Sequence, residues 1–308
     1  MAQKGIHHIT AIAGDPNQNV DFYVKTLGLR LSLKSVNQDD PGTYHLFYTN
    51  QNADPGSSLT FFPWKMAAPC QYGSGEAVAV SFKVPKNGHD FWKEYLQKKG
   101  MDFQEFTRFD RPVIAFSDPD GMPLELVFEE IEAPPLPENR SSIPDEYAIQ
   151  GFYGTTLRLS SGRDTALILT ELLGFEKTAT DNGTDLYQSN SQIGHSVLIE
   201  KPDTPSAGRP GKGTIHHVAF RVKDQEEELQ IREQLIGMGL RPTDVIDRHV
   251  FKSVYFRTPD GVLFELATEG PGYKAVVGDN DPARLLFLPP WLEPQREKIE
   301  DLLPELKV

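Results

Sequence analysis

A strand-like opening recurs four times along the chain, and this repeat most limits the folds that the sequence can adopt. Each opening is followed by a helical pattern that closes on a glycine, and then by short strands. The openings read GIHHITAIA at 5–13, EAVAVSFKV at 76–84, GFYGTTLRL at 151–159 and GTIHHVAFRV at 213–222. We therefore predict four βαβββ modules, which span residues 5–63, 76–131, 150–200 and 213–269.

We predict an α+β fold with two cupped sheets. The composition of the linkers predicts where the domains begin and end. A Pro-rich segment at 133–146 is the expected boundary between two halves, residues 1–132 and residues 149–270. The remaining residues, 271–308, form a C-terminal extension with a short amphipathic helix from about Glu293. We expect this extension to serve packing or a dimer contact rather than chemistry.

Charge and cysteine content exclude several classes of partner. The chain of 308 residues has a net charge of −13, and no cluster of Lys and Arg is visible that could bind nucleic acid or an anionic membrane. Its single cysteine, Cys70, rules out an internal disulfide and a Cys-based zinc site, and it is interpreted as an incidental loop thiol. With neither a signal peptide nor a spanning segment in the sequence, we expect a cytoplasmic protein that binds small molecules.

Strand alternation singles out two histidines. Val218 and Phe220 share one strand face, so His217 points to the other, concave face. His8 holds the equivalent position in the first module. The same argument sends their neighbours, His7 and His216, away from this face or leaves them at the start of the strand.

A carboxylate completes the set. Glu265 alternates with Phe264 and Leu266, and a carboxylate in an apolar strand is costly to bury without a partner. Two imidazoles and one carboxylate form a facial set with open positions, which suits Fe(II) and also Mn(II). The sequence therefore predicts a mononuclear metal site at His8, His217 and Glu265.

The ligand positions also predict how the modules pair. Ala79 and Gly154 hold the histidine position in the second and third modules, whereas Phe62 and Glu125 hold the glutamate position in the first and second. Only modules 1 and 4 together collect all three ligands. We therefore predict that modules 1 and 4 share one cup and that modules 2 and 3 share a second cup without a complete ligand set.

Several other polar residues admit simpler interpretations. Glu125 is predicted to be a solvated or hydrogen-bonded relic, and His45 to be either a cup-lining residue or a core histidine. His195, like His89, lies near a turn and is predicted to be on the surface. His249 follows Arg248 on a predicted strand and should face the opposite side.

Five stretches carry a family resemblance, namely GIHHITAIAGDPNQNVDFYVKTLGLRL, DDPGTYHLFY, GTIHHVAFRV, DRHVFKSVYFRTPDGVLFELATEGPG and LFLPPWLEPQREKIEDLLPEL. Through them the chain resembles the vicinal oxygen chelate (glyoxalase) superfamily, whose module is βαβββ, and within it the bacterial ring-cleaving dioxygenases that act on hydroquinones. The resemblance implies the same pairing of modules and the same metal ligands, His8, His217 and Glu265. It also implies further site residues near the substrate, namely His7, Thr10, His216, Arg248 and Tyr255.

The resemblance implies an extradiol-type dioxygenase that inserts O2 into a hydroquinone-like diol at Fe(II), in quinone detoxification or aromatic degradation. His7 or His216 would move the hydroxyl proton, Arg248 and Tyr255 would stabilise charge on the substrate, and Thr10 would contact it. The partners would be a small aromatic diol and O2, with homo-oligomer formation left open. The alternatives are a glyoxalase-type isomerase or lyase, against which Phe62 counts because that class needs a second carboxylate there, and a non-catalytic binder of aromatic compounds.

Overall fold

The computed structural model describes residues 4–131, 141–278, 280–282 and 284–307. Module 1 comprises β1 (Ile6–Ala13), α1 (Pro16–Val20), β2 (Arg30–Asn37), β3 (Asp40–Thr49) and β4 (Ser58–Pro63). Module 2 comprises β5 (Glu76–Pro85), α2 (His89–Lys98), β6 (Gln104–Arg108), β7 (Arg111–Ser117) and β8 (Pro123–Glu129).

The second half of the chain repeats this order. Module 3 comprises β9 (Gly151–Arg158), α3 (Arg163–Glu171), β10 (Glu176–Asp181), β11 (Thr184–Gln188) and β12 (Ser196–Glu200). Module 4 comprises β13 (Ile215–Val222), α4 (Gln225–Gly237), β14 (Ile246–Asp247), β15 (Lys252–Arg257) and β16 (Leu263–Thr268). The extension carries α5 (Tyr273–Val277) and α6 (Arg296–Leu302), and shorter π or 3-10 turns lie at Asp21–Thr26, Lys86–Gly88, Asp145–Tyr147 and Glu293–Gln295.

The strands form two eight-stranded sheets, and each sheet takes one module from each half of the chain. The first sheet has the order β14-β15-β16-β13-β1-β4-β3-β2, and the second has the order β10-β11-β12-β9-β5-β8-β7-β6. The antiparallel pairs β1–β13 and β5–β9 join the modules at the centre of each sheet. The α+β class and the pairing of module 1 with 4 and of module 2 with 3 are therefore confirmed. The chain boundaries of the two domains stay predictions.

Local chemistry explains where the module helices begin and end. Asp15 caps α1 by accepting hydrogen bonds from two backbone N–H groups, and Asp224 caps α4 by accepting one from the N–H of Glu227. All four helical segments are followed by a glycine with φ between +69° and +82°, a left-handed conformation that only glycine adopts at little cost. These glycines are Gly28, Gly100, Gly174 and Gly239.

The two Pro-Asp-Gly turns tie one sheet to the other. Oδ2 of Asp120, in module 2, accepts a 2.7 Å hydrogen bond from the backbone N–H of Gly14 in module 1. Asp260, in module 4, accepts a 2.7 Å hydrogen bond from the Thr165 hydroxyl in α3 and a 3.1 Å bond from the N–H of Gly162. The turn aspartates thus cap backbone groups across the two-sheet interface.

Alternation along the central strands separates two cores. Val218 and Phe220 of β13 belong to the main core, together with Ile231 and Leu235 of α4. The other face of the first sheet carries a smaller cluster that includes Phe47 and Phe251. Burying a large apolar side chain contributes about 1.5–3 kcal/mol, so the helices are held to the sheet mainly by this alternating face.

The C-terminal extension packs on module 1. The backbone N–H of Phe287 donates to the carbonyl of Lys34 on β2, at 2.9 Å, and the Tyr44 hydroxyl donates to the carbonyl of Pro304. Leu292 and Ile299 form a cluster with Val36. No helix among the described residues is long and apolar enough to cross a bilayer.

Candidate metal centre

Three adjacent strands of the first sheet bring the predicted metal ligands together. The register pairs Glu265 of β16 with Ala219 of β13, and pairs Ala219 with His8 of β1. His217 lies one row along, paired with Thr10. All three candidate ligand residues are buried, with at most 4% of the residue surface exposed. The centre therefore lies at the seam between modules 1 and 4.

The three candidate ligand atoms form a compact triangle. Nε2 of His8 and Nε2 of His217 are 3.3 Å apart, and they lie 3.2 and 2.9 Å from Oε2 of Glu265. Metal–ligand bonds of about 2.1 Å place atoms about 3.0 Å apart at octahedral angles and about 3.4 Å apart at tetrahedral angles. The separations fit one face of an octahedron better than a closed tetrahedral site.

The donor set fits a cation. Oε2 of Glu265 is buried with no hydrogen-bond partner among the described residues, whereas the Ser253 hydroxyl donates to Oε1. Burial alone would raise the pKa of the Glu265 carboxyl, but the imidazoles of His8 and His217 hold it well below its usual range. Burial, opposed by Glu265, lowers the pKa of His217, which keeps a lone pair available. Three lone-pair donors facing one point suit a divalent metal ion.

Two β-bulges place His7 and His216 against the candidate ligands. The β1–β13 register runs from Ile6 directly to His8, and on the other strand it skips His216 in the same way. The prediction that both rings point away is wrong, because it assumed regular alternation, which a bulge interrupts. Nδ1 of His7 lies 2.9 Å from Nδ1 of His8, and Nδ1 of His216 lies 2.8 Å from Nδ1 of His217.

If Nε2 of His8 and of His217 binds the metal, the contacts between Nδ1 atoms determine the tautomers of all four histidines. Nδ1 of His8 and of His217 must then carry the proton and donate it, so Nδ1 of His7 and of His216 accepts. Burial, followed by the neighbouring ligand histidine, lowers the pKa of both His7 and His216 to about 3. Both accepting rings are therefore neutral, and they orient the ligand rings. Their role in proton transfer stays a prediction.

A cavity of about 420 Å³, a size typical of small-molecule sites, opens onto the two histidines of the triad, His8 and His217. Its walls are mainly apolar and aromatic, and include Leu33, Phe47, Phe62, Trp64, Phe251 and Phe287. Tyr255 also lines it, on β15 directly opposite Glu265. A flat aromatic ligand is the chemical class that this lining favours.

Arg248 closes one side of the cavity mouth. Its guanidinium lies 3.0 Å from the Asp39 carboxylate, in the β2–β3 turn, and 5.3 Å from the centre of the Tyr255 ring. His249 also lines the cavity, so the prediction that it faces the opposite side is wrong. Both residues lie in the turn between β14 and β15, where His249 has a left-handed φ of 72°, and strand alternation does not apply there.

Thr10 lies beneath the cavity floor. It is fully buried, and its Oγ1 is 2.8 Å from Oγ1 of Thr60, which in turn lies 2.8 Å from Nε2 of His45. Thr10 is not among the cavity-lining residues, whereas His45 is. A direct contact of Thr10 with substrate stays a prediction, and of the two interpretations of His45 the structure supports the cup-lining one.

The C-terminal extension supplies wall residues that sequence reasoning assigned to packing alone. Val276, Phe287 and Pro289 line the cavity together with the residues of modules 1 and 4. The signal that could have revealed Phe287 and Pro289 was the apolar run LLFLPPW outside any module, which needs a surface to cover.

The cup of modules 2 and 3 holds an ion pair in place of a triad. Glu125 of β8 is bound by the guanidinium of Arg108 through both carboxylate oxygens, and it accepts a 2.6 Å hydrogen bond from Ser81. Glu125 is thus the hydrogen-bonded alternative of the two predicted. His195, predicted to be on the surface, is buried and packs edge-on against Tyr153.

Sequence comparison identifies the wider family. The model of the Glyoxalase/Bleomycin resistance protein/Dioxygenase superfamily matches residues 5–126 and 157–266. MhqE of Bacillus subtilis (strain 168), named as a candidate ring-cleaving dioxygenase, is 38% identical over 308 residues, which cover 99% of this chain and 100% of that protein. A chlorohydroquinone/hydroquinone 1,2-dioxygenase of Sphingobium indicum is 31% identical over 272 residues, covering 85% of this chain and 84% of that protein.

Solved structures agree with this assignment. A crystal structure of a candidate dioxygenase from Bacillus subtilis matches with a TM-score of 0.92 at 37% identity, covering 99% of this chain and 98% of that one. Glyoxalase I from Zea mays is similar in fold alone, with a TM-score of 0.61 at 15% identity over 86% of this chain and 92% of that one. The chain therefore belongs to the glyoxalase, bleomycin resistance protein and dioxygenase superfamily, in agreement with the sequence resemblance.

Proposed function

We propose that this protein is a metal-dependent extradiol-type dioxygenase that cleaves the ring of a hydroquinone-like diol. The observation that carries the proposal is a facial set of two imidazoles and one carboxylate, whose imidazoles line an aromatic-walled cavity. Such a set leaves positions open for both an aromatic oxygen and O2. Relatives named for ring cleavage, one of them for hydroquinone, support the same chemistry.

His8, His217 and Glu265 would hold the metal, with Fe(II) preferred and Mn(II) as the alternative. The bound metal would supply a Lewis-acidic centre that binds the diol oxygen and activates O2. A second carboxylate, as the glyoxalase-type alternative requires, is not found on β4, where Phe62 lines the cavity instead. This difference favours the dioxygenase over the isomerase.

The surrounding side chains would bind and orient the diol. Phe47, Phe62 and Phe251 would enclose the ring and exclude water from it. Arg248 would stabilise negative charge on the substrate at the cavity mouth, and the Tyr255 hydroxyl would donate a hydrogen bond. Burial, followed by the charge of Glu265, raises the pKa of Tyr255, so its hydroxyl keeps the proton that this bond needs.

His7 and His216 would orient the ligand imidazoles. Because their Nδ1 atoms accept from the ligands, only Nε2 of each ring is left for other partners. His216 lines the cavity and His7 does not. Because Nδ1 of neutral His216 accepts from His217, its proton is on Nε2, so in this proposal His216 would donate a hydrogen bond from Nε2 to a substrate oxygen.

Oxygen uptake tests the proposal. The protein is loaded anaerobically with Fe(II) and then mixed with aerated hydroquinone, methylhydroquinone or catechol in an oxygen electrode. We expect one O2 consumed per ring and a product whose mass is that of the diol plus two oxygen atoms. The Glu265→Gln variant corrects for autoxidation of the diol. Uptake no faster than in that variant, or turnover of a glyoxalase substrate without O2, would contradict the proposal.

A further inference from the structure

The ring of His45, in the wall of the metal cavity, is held in one orientation. Its Nε2 is hydrogen-bonded to Thr60, which is itself hydrogen-bonded to the buried Thr10. On its faces the ring packs against Phe47 and Phe62, with centroid separations of 3.9 and 4.4 Å. These contacts fix the imidazole plane and therefore the direction in which the second ring nitrogen points.

That second nitrogen, Nδ1 of His45, has no hydrogen-bond partner among the residues that the structure describes. Burial, followed by the charge of His8, lowers the pKa of His45 well below its usual value, so the ring is neutral. A neutral imidazole bonded through one nitrogen offers the other as a single donor or acceptor. A fixed polar atom in an aromatic wall is the kind of group that orients small ligands.

His45 is far enough from the candidate metal ligands to contact a substrate oxygen that is not bound to the metal. The concave row of the sheet runs from His217 to Thr10, Thr60 and Phe47 on four neighbouring strands. The anchor of His45, Thr60, is thus two inter-strand spacings, about 10 Å, from the strand of His217. The two oxygens of a catechol are adjacent and both reach a metal. The second oxygen of a 1,4-diol lies across the ring and needs another partner.

Two charged groups of the cavity already have partners and are less suited to this role. Arg248 is paired with Asp39, whose side chain is 75% exposed at the mouth. Asp40 accepts hydrogen bonds from the Thr43 hydroxyl and from the Trp64 ring nitrogen. His45 combines an enclosed position, a fixed ring and an unused nitrogen.

We infer that His45 binds the distal hydroxyl of a 1,4-diol whose proximal oxygen is at the metal, and that it thereby selects para-diols over catechols. This inference rests on the proposed function for the location of the proximal oxygen. It adds a specificity-determining residue, held in place by Thr60 and Thr10. Through this hydrogen-bond chain, Thr10 would support substrate binding without touching the cavity.

Anaerobic binding tests the inference without turnover. Hydroquinone and 4-methylphenol, which carries a methyl group where the distal hydroxyl would be, are titrated into the Fe(II)-loaded protein. We expect the wild type to prefer hydroquinone by about tenfold, the effect of one hydrogen bond, and His45→Phe to bring the ratio close to one. The matched control is His195→Phe, the same change at a buried histidine of the other cup, and it should keep the wild-type ratio.

Thermal unfolding checks that each variant folds, and His45→Leu replaces the Phe variant if that one does not. A wild type without preference, or a preference that survives in the folded His45 variant, would overturn the inference. Oxygen uptake separates this failure from failure of the proposed function. His45→Phe should lower kcat/KM for hydroquinone about tenfold, mainly through KM, and leave catechol unchanged. If no diol drives oxygen uptake in the wild type, the function is wrong, while the binding ratio still tests His45.

Discussion

The two cups share one framework and differ in how each compensates a buried carboxylate. The bulges that place His7 and His216 in the first sheet recur at the equivalent positions in the second, where the register skips Val78 and Tyr153. Glu125 holds the place of Glu265, each paired with a residue of the neighbouring central strand. The two cups therefore share the same bulged backbone and the same glutamate position.

The side chains on this shared framework differ between the two cups. In the second sheet the guanidinium of Arg108 neutralises Glu125, and a buried apolar cluster is formed by Val113, Val127, Tyr153, Leu186 and Leu198. In the first cup the corresponding arginine, Arg248, binds Asp39 at the cavity mouth, so Glu265 is left to the two imidazoles. The charge of Glu125 is neutralised by an arginine of the protein, so no metal ion is needed there. Glu265 has no such arginine among the described residues, and a bound metal ion would neutralise its charge.

Removal of a ligand should have the largest effect. Loss of a residue that hydrogen-bonds a metal ligand lowers metal affinity by up to roughly a hundredfold. His217→Ala removes a ligand itself, so we expect a larger fall in metal affinity and the loss of oxygen uptake. Metal content after gel filtration and uptake rate measure both. If the variant keeps wild-type metal content, the first cup does not differ from the second in the proposed way.

Removal of the carboxylate charge of Glu125, in the second cup, should affect protein stability alone. Glu125→Gln leaves Arg108, with 17% of its side chain exposed, without its ion-pair partner, and we expect a loss of about 3 kcal/mol in the free energy of unfolding. Denaturant unfolding measures this loss. Metal content and oxygen uptake should match the wild type, and a fall in either would mean that the second cup takes part in the chemistry.

Glu228 of α4 should make stability depend on pH. Both carboxylate oxygens are buried without a hydrogen-bond partner among the described residues, and burial, followed by the charge of Glu265, raises the pKa of Glu228 to about 7. Because this value exceeds the unfolded value of 4.5, the unfolded state loses its proton first, and stability falls as pH rises from about 4.5 through 7.

Between pH 5 and pH 8 this carboxyl should lower the free energy of unfolding of the metal-free protein by about 2 kcal/mol. Denaturant unfolding of the wild type and of Glu228→Gln at both pH values isolates the contribution. Metal binding should shrink the difference, because a cation offsets the charge of Glu265. An equal pH dependence in wild type and variant would contradict this assignment.

Tyr255 should have the smallest effect of the four. Its counterpart in the second cup is Ala115, which pairs with Glu125 as Tyr255 pairs with Glu265. Tyr255→Phe removes the hydroxyl and keeps the ring, so we expect unchanged metal content and a kcat about tenfold lower. Steady-state oxygen uptake measures it, and loss of metal in this variant would place Tyr255 among the groups that hold the metal.

The sequence predicts the architecture and the convergence of the three candidate ligands, because both follow from period-2 alternation and repeated frames. His8 and His217 hold one frame of two modules, and Glu265 interrupts an apolar strand, so their faces could be assigned before any coordinates. The pairing of modules followed from where the full ligand set could be collected.

The rest depends on local irregularity and long-range packing. His7 and His216 were misplaced because a bulge has no fixed sequence signature, and His249 because a turn replaced the predicted strand. The cavity walls from Phe287 and Pro289 depend on where the extension folds back. Side-chain alternation carries no information on that path.

The central claim is that one cup binds a metal and the other does not, and anaerobic titration with Fe(II) tests it most directly. Calorimetry on the wild type, Glu265→Gln and Glu125→Gln applies one substitution at the equivalent position of each cup. We predict one equivalent of metal per chain in the wild type and in Glu125→Gln, and none in Glu265→Gln. Two equivalents in the wild type, or one equivalent retained by Glu265→Gln, would contradict the account.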